Sequence, residues 1–145
     1  MFPNHRLLSA ACIAAGFALT SCAQTGQQPP KTAGENTPQV RGAVSGVKQQ
    51  IAQFSFVNPD CVTGGYPTLK IAKQPQHGQI SIEQGAAYPE FAKDDVRYSC
   101  NSKKVPSTLI FYTSEPGYTG SDTVAFDRIG VLGAYGYHEY TINVR

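Results

Sequence analysis

The amino-acid sequence predicts an all-β fold, an antiparallel sandwich of about seven strands, and three observations carry that reading. Short runs alternate apolar and polar side chains with period two, as Leu69 and Ile71 do against Thr68, Lys70 and Ala72. Clusters of Pro and Gly, which supply the fixed or positive φ values of turns, separate these runs. No segment sustains a helical period, which argues against a parallel α/β sheet. Composition agrees: 14 Gly, 10 Pro and 8 Tyr among 145 residues, with only 15% charged, suit a loop-rich β protein better than a helix bundle. The length excludes a large multidomain enzyme. A net charge of +2, from 12 Lys and Arg against 10 Asp and Glu without a run of either sign, lacks the dense basic footprint of a nucleic-acid binder.

In chain order, residues 1–21 come first. A polar start with Arg6 leads into an apolar run over residues 7–19, too short to cross a bilayer as a helix, which takes about 20 residues. A signal peptide fits better. Leu19-Thr20-Ser21-Cys22 directly after the run resembles the lipobox of bacterial lipoproteins. That resemblance implies cleavage before Cys22, which would carry the lipid, and Ala23 in place of Asp leans towards the outer membrane. With Cys12 leaving in the signal peptide and Cys22 lipidated, Cys61 and Cys100 remain, and a lone pair in an oxidising compartment usually bonds. Closing that loop is worth about 4 kcal/mol on chain-entropy grounds. A metal pair would need Cys-x-x-Cys or His-x-x-x-His spacing, which the chain lacks. A reactive thiol is the remaining alternative.

Residues 22–50 are rich in Gln, Gly, Pro and Thr and contain no aromatic side chain, so they read as a flexible tether. It would span roughly 30 Å as a coil and about 90 Å when stretched. The domain is then expected over residues 51–145. Strands are expected near 51–57, with Phe54 and Phe56 on one face, and near 68–72 and 80–83. The others fall near 96–100, 108–112, 123–128 and 137–144.

Within this domain, Pro75-Gln76-His77-Gly78 and Gly117-Tyr118-Thr119-Gly120-Ser121-Asp122 resemble the repeat signature of bacterial immunoglobulin-like, cadherin-like modules. The resemblance implies an Ig-like sandwich and a binding or adhesion role, in a single copy. The chain contains no Trp, so the antibody-type core built on a Trp against an inter-sheet disulfide is excluded. Asp94-Asp95, Asp122 and Asp127 are too scattered to assemble the six to eight oxygens of a calcium site. Asp122 reads as structural, accepting backbone N–H bonds at the strand entry. No metal or other cofactor is expected.

Neither Gly-x-Ser-x-Gly nor His-Glu-x-x-His occurs. His77 lies in a turn, and His138 and Glu139, adjacent on a strand, point to opposite faces and cannot act on one substrate. Gly130, Gly133 and Gly136 join two strands without the helix N-terminus of an anion loop. Lys103-Lys104 is too short for a phosphate patch. Catalysis is therefore not expected.

The segment over residues 129–137 is more informative. Turns are normally polar, yet this one offers Ile129, Val131, Leu132, Tyr135 and Tyr137 among glycines. Concentrated apolar side chains in a connection mark a partner-binding loop. The alternatives are a loop folded back as a core cap, or final strands that simply run longer. The expectation is a lipid-anchored binding or adhesion module of the bacterial cell envelope. Its partner would be a protein or glycan of the envelope or beyond it, with membrane contact through the lipid anchor and no nucleic acid. A different class of function is an inhibitor, in the periplasm or at the outer membrane, that inserts the Gly/Tyr loop into a lysozyme or protease cleft.

The lipobox reading is checked by fractionation. Cys22→Ala is expected to move the protein from membranes into the soluble periplasmic fraction, and unchanged membrane association refutes the anchor.

Overall fold

The computed structural model describes residues 37–130 and 133–145. The expected signal peptide over 1–21, Cys22 and the tether residues up to 36 lie outside the described residues, as do Val131 and Leu132. The described chain forms seven strands: β1 (Gln39–Ala43), β2 (Gln49–Ser55), β3 (Thr68–Lys73), β4 (Gly78–Ala87), β5 (Val105–Ser114), β6 (Gly120–Ile129) and β7 (Tyr135–Val144). One sheet has the order β1-β7-β6-β3 and the other β2-β5-β4. In chain order, β2-β5-β4 and β7-β6-β3 reproduce the B-E-D and G-F-C rows of an Ig-like sandwich. All pairings are antiparallel except that of β1, which runs parallel to β7.

Two expectations need correction. The tether was expected to reach residue 50, yet Gln39–Ala43 pair with Tyr140–Val144 and β2 already begins at Gln49. Apolar periodicity cannot reveal β1, because Ala43 is the one residue of the strand that is buried, and backbone pairing to the β7 edge holds the rest. The strand expected at 96–100 is instead a turn followed by a 3₁₀ helix over Tyr98–Ser102. Asp95 accepts the backbone N–H of Arg97 and the Nε and Nη2 donors of its side chain, which bends the chain and leaves Val96 in solvent. Those Arg97 bonds hold the Asp95 carboxyl down to about 2.

The core lies between the sheets. Ile51, Ala52, Ile110 and Tyr112 from one sheet meet Val124, Phe126, Tyr140, Ile142 and Val144 from the other. A bulge between Gln50 and Ala52 turns two successive β2 residues, Ile51 and Ala52, inward. At one end, Glu115-Pro116-Gly117-Tyr118 makes a turn with Pro then Gly at its centre, Gly117 at φ 80° and the Tyr118 N–H bonded to the Glu115 carbonyl at 3.1 Å. Gly78 serves a different need: a Cβ there would lie 2.5 Å from the Tyr112 ring.

At the same end the two sequence motifs meet. Asp122 is 4% exposed, and its carboxylate accepts the backbone N–H of Gln76 and of His77, both at 2.9 Å, its neighbour's Thr123 N–H at 2.8 Å, and the Tyr112 hydroxyl at 3.1 Å. The expectation that Asp122 accepts backbone N–H bonds holds, but two of the donors come from the β3–β4 turn, 46 and 45 residues earlier in the chain. Burial alone would raise the Asp122 pKa; the bonds from Gln76, His77, Thr123 and Tyr112 outweigh it and hold the carboxyl below the ordinary range. Tyr112 is pushed upward, first by burial and then by its bond to Asp122.

The other end is closed covalently. Cys61 and Cys100 form a disulfide with S–S 2.00 Å, joining the β2–β3 and β4–β5 connections. Val57, Val105 and Phe91 pack around it as a second apolar cluster. Cys61 stands at φ 62°, the left-handed position after the Asn58-Pro59-Asp60 turn that glycine fills most cheaply.

Two outcomes follow. The depressed Asp122 carboxyl contributes stability that is present above the unfolded value of about 4 and is lost as pH falls through the folded value. The melting temperature of the wild type should fall as pH drops below about 4, and Asp122→Asn should cost about 3 kcal/mol of stability at pH 7 while flattening that acid dependence; an equally steep acid limb in the variant would count against the assignment. Removing the disulfide as Cys61→Ala/Cys100→Ala should cost about 2–5 kcal/mol, whereas Cys61→Gly/Cys100→Ala should cost about 1 kcal/mol less because glycine relieves the left-handed φ. Thermal melts of the two double variants decide it.

Candidate functional site

The strands β6 and β7 extend further than expected, pairing from Gly120↔Val144 through to Ile129↔Tyr135. Of the segment read as a connection over 129–137, only 130–134 lies between strands, and Ile129, Tyr135 and Tyr137 are strand residues. The reading that the final strands run longer is correct for Ile129 and Tyr135, while Tyr137 already fell in the strand expected over 137–144. A Gly130 N–H bond to the Ala134 carbonyl at 2.7 Å closes the hairpin tip.

Alternation along the strands assigns each side chain to a face. Val124, Phe126 and Arg128 of β6 and His138, Tyr140 and Ile142 of β7 point between the sheets, so Asp127, Ile129, Tyr135, Tyr137 and Glu139 point outward. Ile129 and Tyr135 sit opposite each other at 45% and 66% exposure, which excludes a buried cap role for either. Tyr137 is half-buried beside them. The Tyr135 hydroxyl donates to Asp127 Oδ1, which fixes the ring across the strand pair; this bond, with a smaller contribution from desolvation, raises the Tyr135 pKa. Two strands along, Lys73 Nζ lies 3.4 Å from Glu139 Oε1 and borders the patch with an ion pair. The result is an aromatic and aliphatic patch on a rigid sheet face, with an acceptor carboxylate at its edge. Such a surface can desolvate against a partner.

The histidines separate as expected. His77 stacks on Tyr118 with ring centroids 4.2 Å apart, and its backbone N–H belongs to Asp122. His138 faces inward and Glu139 outward. Among the described residues no three His, Cys, Asp or Glu side chains gather into a group able to hold a metal ion. No helix among them is long and apolar enough to cross a membrane.

The sequence reading missed the inner side of the same hairpin. Between the sheets, on the side where β1 and β2 face each other, a cleft of about 690 Å3 opens, lined among others by Arg41, Phe54, Phe91, Arg128 and His138. Arg41 lay in the expected tether and Arg128 at the end of an expected strand, so neither stood out. The available signal was alternation: Arg128 falls in register with the inward Val124 and Phe126, a position where an arginine has no solvent-facing explanation.

No protein-family model matches the chain, and no curated protein matches it. Among solved structures, the solution structure of amebosin is similar over 73% of this chain and 88% of that chain, at 14% identity and a TM-score of 0.41.

Proposed function

We propose that the protein is a non-catalytic binding module of the bacterial cell envelope, anchored by lipid at Cys22, that docks a protein or glycan partner on the outward patch of Ile129, Tyr135 and Tyr137. The observation that carries this reading is the pairing of Ile129 with Tyr135, two large apolar side chains directly opposite each other and open to solvent on a paired strand end. A partner that covers them gains apolar burial at little ordering cost, because the sheet already holds the backbone and Asp127 already holds the Tyr135 ring. The cadherin-like signature around Gly78 and Asp122 supports the same class of role, since both motifs serve the frame that presents the patch. The anchor and the envelope location rest on the Leu19–Cys22 motif.

An adhesion face and a cleft-inserting inhibitor differ in where their contact residues stand. Ile129, Tyr135 and Tyr137 lie on a sheet face, and that placement favours the adhesion reading.

The experiment is a quantitative capture assay with crosslinked envelope, comparing wild type with Ile129→Ser/Tyr135→Ser. Loss of interface anchors typically costs about 2 kcal/mol or more of binding, whereas exposed surface residues shift stability by about 0.5 kcal/mol. The variant should therefore lose at least about tenfold in partner affinity with a nearly unchanged melting temperature. Undiminished capture refutes the patch, and a loss of several degrees in melting temperature shows that the two side chains serve packing instead.

A further inference from the structure

The inner cleft differs in chemistry from the outward patch. Its volume of about 690 Å3 lies inside the range of small-ligand sites, roughly 300–1,000 Å3. Its charged lining consists of Arg41 from β1, Arg128 from β6 and a single carboxylate, Glu90, from the β4–β5 connection. Neither arginine is ion-paired among the described residues, whose four salt bridges all involve other groups. Arg41 spends its donors on the carbonyls of Ile51 and Val40 and on Gln39 Oε1, none of them anionic. Arg128 directs Nε at His138 Nε2 over 3.4 Å, and its two terminal nitrogens donate to no acceptor among the described residues.

The pocket beside Arg128 is shaped as well as charged. A Cβ on Gly136 would lie 3.1 Å from both Arg128 Nη2 and His138 Nε2, so the bare glycine lets the guanidinium and the imidazole lie over the β7 backbone. An imidazole that accepts at Nε2 carries its proton on Nδ1, where it is a second donor. Burial, and then the neighbouring Arg128, hold His138 below the ordinary histidine range and keep it neutral. The Phe54 ring packs directly on the His138 ring at 4.6 Å, and Phe91 also lines the cleft. Unpaired guanidinium donors in a largely polar cleft beside two aromatic rings match an oxyanion carried on a ring.

We propose that this cleft is a binding site for a small organic oxyanion, a carboxylate or phosphate ester on a ring, with the Arg128 guanidinium taking the oxyanion, Arg41 adding positive charge, and Phe54 and Phe91 receiving the ring. A guanidinium offers parallel N–H donors to two oxygens of either group, so carboxylate and phosphate share one recognition chemistry. The site lies between the sheets and does not depend on the outward patch.

The test is calorimetric titration of the exported chain, solubilised in a neutral detergent, with benzoate, phenyl phosphate and benzyl alcohol, joined to NMR observation of the His138 ring. At least one of the two anions should bind saturably and about tenfold or more tighter than the neutral alcohol, with His138 resonances moving along the same isotherm. Which anion binds identifies the ligand class. Arg128→Gln should weaken that binding at least tenfold without a change in melting temperature beyond a few degrees. Should Arg128→Gln fail to fold, Gly136→Ala provides the second reading, because its Cβ displaces the guanidinium and should also weaken binding. Ile129→Ser/Tyr135→Ser should leave anion binding unchanged, which separates this site from the outward one. Benzyl alcohol binding as tightly as the anions, no saturable anion binding, or full affinity in the folded Arg128 and Gly136 variants overturns the proposal.

Discussion

The buried carboxylate of Asp122 is the constraint around which the sandwich is organised. A lone carboxylate in that position would be expelled or neutralised by its desolvation cost, and it stays charged because four donors converge on it. Those donors come from three places in the chain: the β3–β4 turn, the β5 strand and the start of β6. Satisfying one anion therefore positions the turn that links the sheets, the Tyr112 ring at the core's end and the entry of the β6–β7 hairpin. Gly78 follows from the same contact, since the turn can approach Tyr112 only without a side chain there. The pattern of Pro-x-His-Gly in one place and Gly-x-Asp further along, with His77 and Asp122 45 residues apart, is the imprint of that single interaction on the sequence.

What could be read from the sequence divides along physical lines. Elements whose stability comes from burying one face were legible: β3, β5, β6 and β7 appear where their alternation puts them, and the fold class with them. The element held by backbone pairing alone was not: β1 buries only Ala43 and carries the composition of a linker. Residues 96–100 alternate like a strand, but the Asp95 carboxylate captures the Arg97 donors and the disulfide draws Cys100 into the second cluster. Local side-chain capping outweighs a three-residue alternation. Thiol counting under an assumed export was enough to pair Cys61 with Cys100, because the prediction needed no geometry.

The same rule explains the candidate sites. Ile129, Tyr135 and Tyr137 could be singled out because apolar residues among glycines are anomalous in any connection, even though the strand placement of Ile129 and Tyr135 was not foreseen. Arg41 and Arg128 are ordinary residues in ordinary contexts, and become notable only when register turns them towards the interior. A pairing register is a relation between segments distant in sequence; Arg41 faces inward because residue 41 pairs with Ile142, a fact located on neither strand alone.

That register also bears on how the sandwich ends on its open side. The β2 strand has a partner only in β5, so its other edge would expose unpaired carbonyls beside the core, the arrangement that invites edge-to-edge association. Arg41 reaches from β1 across the gap, and its Nε donates to the Ile51 carbonyl at 2.8 Å, satisfying one edge acceptor while its guanidinium lies over the Tyr140 ring. A hydrophobic residue at position 41 would fill space but leave the carbonyl unpaired, and a further strand would close the cleft altogether. An arginine achieves the intermediate result: the edge is blunted, the sheets are tied, and the space between them stays open and positively charged. The parallel course of β1 along β7 is what delivers the side chain to that gap, so the strand hardest to see in the sequence is the one that shapes the interior cleft.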